Sequence, residues 1–73
     1  MGTKAMAERA ITATFLGKEI EEALASQGSD PRAAYRAQEA LDRMTDLGLP
    51  VQDEAETRER VRLAMEGRRR MAP

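Results

Sequence analysis

The stretch Ala10-Ile11-Thr12-Ala13-Thr14-Phe15-Leu16 decides the fold, because it fits two different periods. Taken in steps of two, Ile11, Ala13 and Phe15 alternate with Thr12, Thr14 and Leu16, which is the pattern of a short strand. Gly17 then serves as the turn, and Lys18 to Ala25 form a short helix. Taken in steps of three and four, the same residues belong to one helix over residues 5–25. On that helix Met6, Ala13, Leu16, Ile20 and Leu24 share a face, while Ala7, Ile11 and Phe15 form a second stripe almost opposite. The helix is the preferred expectation, with the short N-terminal strand as its alternative.

Two breaks separate this segment from the rest, Gln27-Gly28-Ser29-Asp30-Pro31 and Gly48-Leu49-Pro50, both rich in residues that stop one helix or open the next. Between them, Asp30 is placed to cap a helix whose first residue is Pro31, where a missing N–H costs nothing. Ala34, Ala37, Leu41 and Met44 recur at spacings of three and four, flanked by Ala40 and Leu47, so one apolar stripe runs along residues 31–47. Gly48 suits the position just after the helix, and Pro50 prevents continuation.

Beyond the second break, Asp53 followed by Glu56 resembles a capping box with Asp in place of Ser or Thr. Asp53, Glu54, Glu56 and Glu59 crowd the start, and Arg68, Arg69 and Arg70 follow the end, a distribution that suits the helix macrodipole. A third helix is expected over residues 54–66, with 67–73 as a flexible Arg-rich tail. Its apolar stripe of Thr57, Val61, Ala64 and Met65 is thin, and Leu63 points the other way, so the helix needs something to lie against. The fold class expected is all-α: one small domain of three helices, a helical hairpin plus a charged C-terminal helix.

Composition bounds what such a domain does. With 73 residues and much of its apolar content in alanine, the chain buries a small core, and small domains recruit disulfides, metals or partners to compensate. There is no Cys and no His, which removes disulfide, thiolate and imidazole options together. Oligomerisation or a protein partner is then the expected support. A net charge of −1, with acids and bases interspersed, creates no general attraction for nucleic acid. No apolar run approaches the roughly 20 residues of a membrane span, and no secretory apolar segment is seen, so a cytoplasmic protein without membrane contact is expected.

Enzymatic chemistry is not expected. General base work would fall on carboxylates, which sit in the clusters Glu19-Glu21-Glu22 and Asp53-Glu54-Glu56 that helix caps and solvated faces account for. The glycines are isolated, as punctuation rather than as a phosphate loop. We therefore expect no catalytic, cofactor-binding or metal-ligating residues. The expected function is that of a protein-binding module, an accessory subunit, adaptor or inhibitor working through apolar helix faces. Its candidate contact residues are Ile11 and Phe15 on the second stripe, Tyr35 with Arg32 and Arg36 as a set of interface-prone side chains, Val61 and Met65 on the third helix, and Arg68, Arg69 and Arg70.

The strand alternative leads elsewhere. A strand over Ala10–Leu16, then a short helix, a longer helix and a charged tail is an order similar to that of ribbon-helix-helix antitoxins, over about half of the chain. That resemblance implies a dimeric DNA-binding protein, with Thr12 and Thr14 facing the major groove, Ile11, Ala13 and Phe15 in the dimer core, and the tail from Asp53 to Pro73 on a toxin. The chain departs from the pattern in having only Arg9 as a base near the strand, and Asp30 where a phosphate would approach the helix start.

Overall fold

A computed structural model describes the backbone from Gly2 to Met71 and the side chains from Met6 to Gly67. It contains three helices, α1 (Gly2–Ala25), α2 (Ala33–Asp46) and α3 (Glu54–Met71), and no strand among the described residues. The ambiguous stretch Ala10–Leu16 lies inside α1, so the strand alternative is overturned. Gly17 does not break this helix: a Cβ there would meet nothing within 4 Å.

The second break works as expected, and the first does so only in part. Asp30 Oδ1 accepts the Arg32 N–H at 2.9 Å, and the Asp30 carbonyl accepts Ala33 N–H at 3.1 Å. Asp30 therefore closes a tight turn before the helix and is not its N-cap: that position falls to Arg32, without a side-chain cap, and regular α-helix begins at Ala33 rather than Pro31. At the other end Gly48 takes φ 65, a left-handed conformation that suits a residue without Cβ. Gly48 N–H donates to the Thr45 carbonyl at 3.0 Å, and Leu49 N–H donates to that of Met44 at 2.9 Å. This pair of bonds is the Schellman motif, and the buried side chains of Met44 and Leu49 supply the apolar contact that accompanies it.

The capping box expected at Asp53 is not formed. Asp53 sits at φ 49, outside the extended conformation of an N-cap, and its carbonyl receives the first helical bond from Thr57 N–H. The Thr57 hydroxyl, buried with its residue, donates to the Gln52 carbonyl at 3.1 Å and ties the turn down. Helix α3 then continues to Met71, past the expected end at Glu66.

The core is the hairpin of α1 and α2 with α3 laid mainly on α2. Leu16, Ile20, Ala23 and Leu24 of α1 meet Ala34, Ala37, Ala40, Leu41 and Met44 of α2, closed by Leu49, Val61 and Ala64. Alanines along the α1–α2 contact let the two helices approach closely. Of the thirteen buried apolar residues described, six are alanine, so the buried area is modest for the number of positions committed to it.

Helix lengths set the outline. At 24 residues α1 spans about 36 Å, whereas the 14 residues of α2 span about 21 Å. The N-terminal part of α1 therefore runs beyond the end of α2. The radius of gyration is 13.6 Å, against about 11 Å for a compact domain of this length. Met6 is left exposed for this reason. Its spacing aligns it with Leu16 and Ile20, but α2 does not reach it, and it is 71% exposed.

Candidate functional site

The projecting half of α1 is the most unusual surface of the molecule. Every residue from Met6 to Thr12 is exposed, so this part of the helix buries none of its side chains against the hairpin. A helix shorter than about 12–15 residues is marginal in water by itself, and tertiary contacts normally supply the rest of its stability. Arg9 ties this stretch to the hairpin. Arg9 Nη2 donates to the Gly48 carbonyl at 3.0 Å, placing a cation at the C-terminus of α2, where the peptide dipoles favour positive charge.

Ile11 and Phe15 lie one turn apart on the side of α1 facing away from the hairpin, 69% and 68% exposed. The polar neighbours on this side are Glu8 toward the N-terminus and Lys18 and Glu22 toward the C-terminus, all exposed. Among the described residues none of these three side chains forms an ion pair. The hydroxyl of Thr12 is engaged within the helix, donating to the Glu8 carbonyl at 2.9 Å.

The remaining expected contact residues do not join this face. Arg32, Tyr35 and Arg36 are gathered at the start of α2, toward the other end of the hairpin from Ile11, and are exposed. Arg36 Nη1 holds Asp30 Oδ2 at 2.8 Å. Together with the Arg32 N–H, which acts most strongly, this keeps the Asp30 carboxyl below its ordinary range. Val61 is a correction: it is fully buried between the helices and has no surface to offer, because α3 turns that residue onto α2. Met65 is half-buried against the same core. Arg68, Arg69 and Arg70 fall within α3, but their side chains lie outside the described residues. Leu63 is exposed, as its spacing predicted.

The charged residues of α3 are organised into pairs. Arg60 forms a bidentate bond with Glu21 of α1, at 2.8 and 3.1 Å, tying together the two helices that touch least. The Arg60 hydrogen bonds lower the Glu21 carboxyl below its ordinary value, and Glu21 in turn raises the Arg60 guanidinium. Arg62 bridges Glu59 and Glu66 along α3 and lowers the Glu59 carboxyl by hydrogen bonding. Neither the Arg9–Gly48 tie nor the Arg60–Glu21 tie was expected from the sequence. Each joins residues thirty-nine positions apart, for which no local spacing rule exists.

Concave surfaces are open grooves. One of about 400 Å³ lies beside α1 and is lined by Thr14, Gly17, Lys18, Glu21, Gln52 and Thr57 among others. Its titratable groups are Lys18 and Glu21, the latter held by Arg60. Among the described residues no group of three or more carboxylates is placed to hold a metal ion, and no helix is long and apolar enough to cross a membrane. Comparison with protein families, with curated proteins and with solved structures finds no match to this chain.

Proposed function

We propose that this chain is a cytoplasmic, non-enzymatic helical module that binds protein through the outward stripe of α1, as an accessory subunit, adaptor or inhibitor would. The observation that carries the proposal is the projecting half of α1, exposed from Met6 to Thr12 and continuous with an apolar pair, Ile11 and Phe15, on the side the hairpin leaves uncovered. Exposed apolar side chains are ordinary one at a time. What sets this pair apart is its position on a helix in which every residue from Met6 to Thr12 is exposed, because a partner would supply the missing burial. Binding of this kind lays an amphipathic helix against an apolar groove or another helix, with residues one turn apart as anchors.

A photo-reactive residue in place of Phe15, with a control in place of the exposed Asp42 on α2, tests the proposal in the cells that make the protein. Discrete covalent adducts from position 15 and none from position 42 are expected. Adducts from neither position, or equally from both, would contradict it.

A further inference from the structure

Charge placement about the Ile11–Phe15 pair identifies the occupant of this face. Glu8, Ile11, Phe15, Lys18 and Glu22 follow one another at spacings of three, four, three and four, the a/d rhythm of a helix-to-helix seam. All five are exposed on α1. Two copies of such a seam have two simple ways to meet. A parallel, in-register pair sets Glu8 against Glu8 and Lys18 against Lys18, so both flanks are like-charged and repel. An antiparallel pair about a two-fold axis between Ile11 and Phe15 sets Ile11 against Phe15 of the second copy. It also sets Glu8 against Lys18 on both flanks. The next positions outward in the sequence spacing are Lys4 and Glu22, which again differ in sign. The seam is thus complementary to itself in one orientation, which is what a two-fold interface requires of a single surface.

We infer that α1 pairs antiparallel with α1 of a second copy of this chain, with Ile11 and Phe15 at the centre and Glu8–Lys18 ion pairs on either side. The inference rests on the protein-binding reading above and names its partner. Glu8 and Lys18 have no ion-pair partner among the described residues of their own chain, so the pairing breaks no existing bridge. Only two large apolar residues per copy enter the seam, which places the contact among small interfaces of under about 1,200 Å² and makes the dimer weak and concentration-dependent.

The test is sedimentation of the intact chain from about 10 µM to about 1 mM, a range suited to a weak interface. The mass of the unmodified chain should rise from 8.1 kDa toward twice that value. Glu8→Lys alone and Lys18→Glu alone should each remain at the mass of one chain over most of the range, because each turns both flanks like-charged. Mixing those two variants should restore the heavier species, since a mixed pair has opposite charges on both flanks. Both positions are exposed, and an unchanged helical circular dichroism spectrum checks that the variants fold. A constant 8.1 kDa for the unmodified chain overturns the inference, as does a dimer indifferent to both single reversals. A constant 8.1 kDa together with position-15 adducts to a different protein would overturn self-pairing alone and leave the protein-binding reading standing.

Discussion

Arg9 of α1 and Gly48 at the end of α2 are joined by a 3.0 Å hydrogen bond from the guanidinium Nη2 to the Gly48 carbonyl, which ties the exposed stretch Met6–Thr12 to the end of the hairpin. The bond satisfies a carbonyl of the helix terminus and adds a favourable charge–dipole contact. Arg9→Ala should cost about 1 kcal/mol or less, since the pair is exposed. Amide exchange should quicken most over Ala10–Thr14, while that of Leu16–Leu24 changes little. Uniform acceleration across α1 would show that Arg9 supports the whole hairpin instead.

Gly48 and Gly17 make opposite predictions for the same substitution. Gly48→Ala puts a Cβ on a residue at φ 65, and its nearest neighbour, an Arg9 nitrogen at 3.9 Å, is an ordinary contact. The loss should therefore come from the backbone and amount to about 1–2 kcal/mol. Gly17→Ala lies within a helix with open space around the added atom and should stabilise by up to about 1 kcal/mol. Urea unfolding midpoints of the two variants should move in opposite directions.

Val61 and Leu63 differ by two positions and should differ greatly in consequence. Val61 is fully buried and Leu63 is half exposed. Val61→Ala should lower stability by about 1–3 kcal/mol, and Leu63→Ala should stay within about 0.5 kcal/mol. Thermal unfolding of the pair checks which face of α3 meets the hairpin.

Acid should loosen α3 from α1. The carboxyls of Glu21, Glu59 and Asp30 are all held below their ordinary values by the hydrogen bonds they accept. A lowered carboxyl contributes its stabilisation above its unfolded-state value and loses it as pH falls through the folded-state value. The effect should therefore be full above about pH 5 and decline below the ordinary glutamate value of 4.5. The Glu21–Arg60 bridge is more than a third exposed on both sides, so its share should be about 0.5 kcal/mol. Glu21→Gln should cost that much at pH 7 and almost nothing at pH 3, a difference readable in thermal midpoints at the two pH values.

Helix α2 was legible because its signals act over a few residues. Asp30 reaches an N–H two residues ahead, and Gly48 sits where a chain must turn left-handed. The helical reading of Ala10–Leu16 was right as well, and Ile11 and Phe15 were correctly placed on the side opposite Leu16 and Ile20. Met6 shares the face of Leu16 and Ile20 yet is exposed, because burial depends on how far another helix extends, a length that periodicity within α1 does not encode. Val61 was misassigned for a related reason: a thin stripe on α3 suggests a surface in need of a partner, and the hairpin itself was that partner. Asp53 had the composition of a cap without its backbone conformation, which the turn after Pro50 sets.

Amide hydrogen exchange over Ala7–Thr12, followed at low and high protein concentration, bears most directly on the claim that the outward stripe of α1 is covered by another molecule. Slow exchange at high concentration, fast exchange on dilution, and fast exchange at both concentrations in Phe15→Glu are expected, with Leu16–Leu24 protected throughout. Equal protection of the two halves of α1 in dilute solution, unaffected by Phe15→Glu, would show that the projecting helix needs no partner and would contradict that claim.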